Sequence, residues 1–207
     1  MWLMLFINIT CGIAIISVAS PLAQESVGFT AGAAATLVGI LGAFNGLGRI
    51  GWASFSDYIG RPNTYTIFFS IQLIAFPLLP YLKEPFIFFS IVMAIIYTCY
   101  GGGFASIPAY IGDLFGTKQL GAIHGYILTA WAAAGLAGPL FSSFIRDITG
   151  NYTQSLMVFS GLFFIAFIIS LLIRKDIQQL REKKTYLLLP LSQPDLNLNL
   201  TESQSKR

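Results

Sequence analysis

GLGRIGWASFSDYIGR, residues 46–61, sets an arginine inside a glycine-rich apolar run, eight residues before the next acidic side chain. On a 3.6-residue period Ala35, Gly39, Gly42, Gly46, Arg49 and Ala53 fall on one stripe, so Arg49 shares the face of a helix whose side chains are smallest. At about 1.5 Å of rise per residue, Arg49 lies about 12 Å in from Asp57 along such a helix. What surrounds that arginine decides both the fold and the chemistry.

The 207 residues are 55% hydrophobic and 10% charged, against roughly a quarter charged in a soluble domain. Between the charges lie uncharged runs at 1–24, 26–48, 62–82, 85–112, 119–145 and 148–173, each long enough to cross roughly 20 residues' worth of hydrocarbon. Alternating short strands, which a membrane barrel needs, are absent from the sequence, and helices are the other structure that satisfies its backbone in lipid. The expectation is an all-α integral membrane protein with six spans at about 1–23, 29–56, 63–82, 85–111, 119–145 and 153–174. The first run lacks a basic leader and is too long for a signal-peptide core, so it reads as a span.

Lys and Arg favour alternate loops: Arg61, Lys118 and the cluster Arg174, Lys175, Arg181, Lys183 and Lys184 on one side, Lys83 and Arg146 on the other. The positive-inside rule then places both termini in the cytoplasm. Residues 175–207 are expected to be a disordered cytoplasmic tail, either solvated or lying with its basic segment along an anionic leaflet. Asn151-Tyr152-Thr153 matches a glycosylation acceptor that matters only in a eukaryotic secretory route. Cys11 and Cys99 lack metal-ligand spacing and read as small packing residues. The net charge of +3 is spread through loops and tail without the basic patch of a nucleic-acid surface.

The six spans repeat with a period of three. Spans one and four carry polar groups at membrane depth: Asn8, Thr10, Ser17 and Ser20 in one, Tyr97, Thr98, Tyr100 and Ser106 beside glycines 101–103 in the other. Spans two and five are rich in Gly and Ala and suit close packing, whereas three and six are rich in Phe, Ile and Leu, as lipid-facing supports should be. An odd number of spans per triplet gives the two copies opposite orientation, the inverted repeat of secondary transporters. Pro108 and Pro139 are expected to add kinks.

An arginine at the depth of Arg49 costs about 2.5–3.5 kcal/mol on insertion scales unless paired or hydrated. The spans themselves hold no carboxylate, since Glu25, Asp57, Glu84, Asp113 and Asp147 fall at span ends or in loops. Two readings follow: Arg49 faces a wet cavity and binds an anionic substrate with its planar fork, or it snorkels or pairs with Asp57 or Asp113. His124 is a proton relay or a packing residue, and Tyr97, Tyr100 and Trp131 are pocket aromatics or packing. With Asn45 these make the candidate substrate-binding set.

SDYIGR, 56–61, resembles the loop signature between the second and third helices of each half of the major facilitator superfamily. Asp57, Gly60 and Arg61 match it, while Ala53, Phe55, Tyr58 and Pro62 depart from it. NGLGRIGWASFSDYIGR, 45–61, and GGGFASIPAYIGDLFGTKQLGAIHGYILTAWAAAGLAGP, 101–139, resemble the eighth and the tenth to eleventh helices of that superfamily's oxalate/formate antiporter family.

The resemblance implies the carboxy-terminal six-helix half of a carboxylate transporter working by alternating access, by uniport, symport or antiport, in a bacterial inner (plasma) membrane. It implies Arg49 as the carboxylate-binding cation and Asp57, Gly60 and Arg61 as a cytoplasmic gate whose partner belongs to an amino-terminal half. Span five has no Lys or Arg between Lys118 and Arg146, which favours a monocarboxylate over a dicarboxylate unless the other half of the transporter supplies a second positive charge. The apolar opening MWLMLFINIT is what a truncated or separately encoded half would show. The rivals are a non-transporting partner protein and a membrane enzyme; no paired acids, nucleophile set or metal cluster at membrane depth supports the enzyme, and no cofactor is implied.

Overall fold

The computed structural model describes residues 1–188, and they are helical with no strand among them. The helices are α1 (Trp2–Val27), α2 (Ala31–Ile59), α3 (Arg61–Leu78), α4 (Phe86–Ala105), α5 (Ile107–Phe115), α6 (Leu120–Thr149) and α7 (Thr153–Leu188), with one 3-10 turn at Leu79–Tyr81. Taking α4 and α5 as one crossing, six segments are long and apolar enough to span a membrane. Thr30 caps α2 by accepting from the Ala33 amide at 3.2 Å. Gly60 and Gly150, at φ 85° and 74°, end α2 and α6 in backbone that side chains disfavour.

The kink expected at Pro108 is present as a break in the fourth span at Ser106, because Pro108 opens α5 and has no N–H to continue the ladder. Pro139, in contrast, leaves α6 assigned as one helix from Leu120 to Thr149. The region taken for a disordered tail from 175 is helical to Leu188, since RKDIQQLREKK is made mostly of good helix formers. Residues 189–207 lie outside the described residues. Met1–Ser170 form one compact unit, and a second begins at Leu171 with the remainder of α7.

Among helices α1–α6 the two most extensive pairings are α2 with α4 and α1 with α6. Each joins a polar helix of one triplet to a small-residue helix of the other, as a two-fold inverted repeat requires. Each is also made the same way. A Cβ on Gly48 would lie 2.5 Å from the Thr98 Cα and carbonyl oxygen, and one on Gly138 would overlap the Thr10 carbonyl oxygen. Both threonines are followed by a buried cysteine, Cys11 and Cys99, so the packing residues expected there sit at the two crossings.

The third members, α3 and α7, pack together through Phe76 with Phe159 and Phe163, ring centroids 6.0 and 5.0 Å apart. Ser160 donates to the Leu73 carbonyl at 3.0 Å. Their role as supports is less purely greasy than their composition suggests: Gln72 of α3 is fully buried and donates to Asn8 Oδ1 at 3.0 Å, while the Tyr65 hydroxyl donates to the Gly103 carbonyl. These bonds tie α3 to α1 and α4 in a medium that offers no water as a substitute.

Gly48→Val and Gly138→Val should each cost about 1–3 kcal/mol or more, because the added methyls meet rigid backbone. Gly161→Ala on α7 meets nothing within 4 Å and should cost nothing measurable. Thermal unfolding in detergent of the three variants of the full-length protein checks the contrast.

Candidate functional site

The α2–α4 crossing sets Arg49 beside α4, about three turns in from the end of α2. Gly48 rests on Thr98, Gly101 rests on the Asn45 carbonyl, and a Cβ on Gly101 would come within 3.2 Å of Arg49 Cγ. Asn45 Nδ2 donates to the Tyr97 carbonyl at 3.3 Å. One turn beyond Asn45, Arg49 therefore leaves α2 over the face of α4 that carries Tyr97, Tyr100 and Phe104 at helical spacing.

Its guanidinium carbon stands 5.6 Å from the Phe104 ring centroid. Phe104 in turn lies 6.2 Å from the Trp131 indole of α6, tilted by 52°. Tyr100 neighbours both Arg49 and Trp131, and Gly12 of α1 leaves room for its ring. One cation thus sits on a floor of aromatic side chains from α4 and α6, a cation–π contact worth about 0.5–2 kcal/mol.

Arg49 is exposed. Among the described residues it makes no ion pair and no side-chain hydrogen bond. The alternative of pairing with Asp57 or Asp113 fails, because Arg61 takes both: Arg61 pairs with Asp57 and lies 3.5 Å from Asp113 of α5. The stripe that Arg49 shares is also uncovered, since Cβ atoms on Gly39, Gly42 and Gly46 would meet nothing within 4 Å. A free guanidinium on an open small-residue face above aromatic rings can hold an anionic head group by its fork and an apolar remainder by the rings.

The other candidates separate. Tyr100 and Trp131 join the cluster, Trp131 being 48% exposed. Asn45 does not stand free as a ligand: its amide is engaged on α4, where it fixes the crossing. Tyr97 is 2% exposed and its hydroxyl has no partner among the described residues, so it lies behind the open face. His124 is half-buried, and no hydrogen bond, ion pair or ring contact among the described residues joins it to the cluster. It lies about 10 Å from Trp131 along α6. Phe104 was absent from the sequence reading, although its place one turn after Tyr100 on the same face was a usable signal.

At the Arg61 end of the bundle, Arg61 also donates to the Ala53 carbonyl at 3.2 Å and to the Ser56 hydroxyl. The motif expected to meet a partner in another half is already engaged within this chain, tying α2 and α3 to α5. Among the described residues no group of His, Cys, Asp and Glu suits a metal ion.

A family model described as Major Facilitator Superfamily matches residues 1–193. The chain is similar to the oxalate:formate antiporter of Oxalobacter formigenes, 32% identical over 115 residues that make up 55% of this chain and 28% of that protein. It is also similar to monocarboxylate transporter 14 of Mus musculus, 35% identical over 40% of this chain and 16% of that one. Apicoplast pyruvate carrier 2 of Toxoplasma gondii is 28% identical over 47% of this chain and 15% of its own length. The matched segments thus span well under a third of these relatives.

Arg49 and Arg61 should respond oppositely to removal of charge. Arg61→Met breaks bonds made by a side chain only 14% exposed and should destabilise by about 1–3 kcal/mol. Arg49→Met removes a charge without a partner and should leave the apparent Tm unchanged or raise it. Parallel unfolding scans of the full-length protein in detergent decide it.

Proposed function

Because the chain belongs to the Major Facilitator Superfamily and is a multi-pass membrane protein, we propose that it is part of a secondary transporter that carries a small monocarboxylate by alternating access. The observation that carries this reading is Arg49: a cation held at a helix crossing, over the Phe104 ring and free of any acidic partner among the described residues. An arginine so placed gains most when its counter-charge arrives with the cargo.

A single negative charge on the cargo fits the supply of positive charge. Arg61 is engaged by Asp57 and Asp113, and Arg146 by Glu25 at 2.6 Å. That leaves Arg49 as the free cation of the helical core among residues 1–170. The printed names of the relatives, an oxalate:formate antiporter, a monocarboxylate transporter and a pyruvate carrier, agree with a carboxylate as cargo. Tyr100, Phe104 and Trp131 would line the apolar side of the site, with Tyr97 behind them.

In this reading both termini face the cytoplasm, as the Lys and Arg of alternate loops indicate, and the membrane is a bacterial inner membrane. The open stripe of Gly39, Gly42 and Gly46 faces an amino-terminal six-helix half that completes the pathway. The Asp57–Arg61–Asp113 cluster then stabilises the cytoplasmic side.

The test is carboxylate uptake into proteoliposomes by the full-length protein. Arg49→Ala, at normal membrane levels, should lower uptake by about 10- to 100-fold, the worth of a charge-assisted bidentate bond. Arg49→Lys keeps the charge and loses the fork, so KM should rise by about tenfold. Unchanged uptake in Arg49→Ala would refute the role.

A further inference from the structure

The two polar helices end in the same device at opposite ends of the bundle. In α1, Pro21 interrupts the backbone ladder and Glu25 follows on the last turn. Glu25 Oε1 accepts from Arg146 Nη2 of α6 at 2.6 Å, and Arg146 also covers the Tyr152 ring at 5.6 Å. In the fourth span the break at Ser106 is followed by Pro108 and then by Asp113 on α5, which lies 3.5 Å from Arg61 just beyond α2. The order is therefore repeated: threonine and cysteine at the crossing, a proline further on, a carboxylate about one turn past it. In each case an arginine at or just past the end of the other triplet's small-residue helix, Arg146 in the last turn of α6 and Arg61 two residues beyond α2, lies beside that carboxylate.

From this repetition we infer that Glu25–Arg146 is a latch at the mouth opposite Arg61, the inverted-repeat counterpart of the Arg61 cluster. The inference rests on the transporter reading above. While the pair is made, the tip of α1 beyond Pro21 is held on α6, within its own half. Releasing the pair is the step that frees the tip to swing across the mouth, with Pro21 as the weak point of the helix. Helix pairs that pack on bare backbone at Gly48 and Gly138 cannot slide easily at the centre. Motion is therefore confined to the ends, where one arginine per end, Arg61 with Asp57 and Asp113 or Arg146 with Glu25, governs it. Exposure of the partners, 42% for Arg146 and 35% for Glu25, makes the pair weak enough to open in each cycle.

The experiment is hydrogen–deuterium exchange by mass spectrometry on the full-length protein in lipid nanodiscs, with turnover and KM for a small carboxylate measured in proteoliposomes. Glu25→Gln and Arg146→Gln should each speed exchange in peptides covering 21–28 by about two- to fivefold, the worth of a partly exposed ion pair, with 107–115 unaffected. Arg61→Gln should show the reverse pattern. Turnover should fall in the Glu25 and Arg146 variants while KM stays within about twofold, since neither touches the Arg49 cluster. The charge-swapped double variant Glu25→Arg with Arg146→Glu should restore both readings. Equal acceleration at both ends, no acceleration, or failure of the swap to rescue a well-expressed protein would overturn the latch. Local acceleration with rescue in a protein that carries no carboxylate would support the latch and sink the substrate reading.

Discussion

Contact between bare backbones at two crossings holds this bundle together. In lipid, apolar surface gains nothing by leaving one hydrocarbon environment for another, so helices associate where they can come close enough for dispersion and weak polar contacts. Gly48 against Thr98 and Gly138 against Thr10 are such places. The same closeness lets Asn45 reach the Tyr97 carbonyl across the helices and puts Arg49, one residue past Gly48, over α4. Remove the glycine and the arginine loses both its depth and its aromatic floor.

Three arginines of the bundle show how polarity is handled around this framework. Arg61 and Arg146 lie near helix ends, where carboxylates of neighbouring helix termini are at hand, and each is paired. Arg49 lies a further three turns in and is left unpaired among the described residues, although a carboxylate on the next turn would have neutralised it at small structural cost. A bundle selected for stability alone would not keep it so. The pairing near the helix ends and its absence at Arg49 are the contrast on which the proposed function rests.

Fold class was legible because the signal was coarse: charge-free runs of bilayer length survive any rearrangement of their neighbours. The three-period alternation of polar, small and greasy spans was legible for the same reason. Which glycines pack and which lie open was not, since Gly46 and Gly48 sit two residues apart on one helix and differ only in what another helix brings to them. Arg49 could be singled out by its cost. For Phe104, one of 18 phenylalanines, the sequence offered only its spacing one turn after Tyr100, because a ring takes on such a role only when the fold carries a cation over it. The bond from Asn45 to the Tyr97 carbonyl was not legible either, since a polar group at membrane depth satisfies backbone as readily as cargo.

The repeat also bears on how much charge the site can take. Arg49 follows Gly48 at one crossing; Pro139 follows Gly138 at the other. The packing is two-fold and the chemistry is one-fold: the position on α6 that matches the cation holds a residue with neither charge nor N–H. With a second arginine there, the two guanidiniums would repel one another in low dielectric until a dianion entered between them. With proline there, a dianion entering over Arg49 would carry one negative charge that nothing in this half offsets, at a desolvation cost of several kcal/mol. On the proposed function, the asymmetry laid on a symmetric frame therefore disfavours a doubly charged cargo within this half.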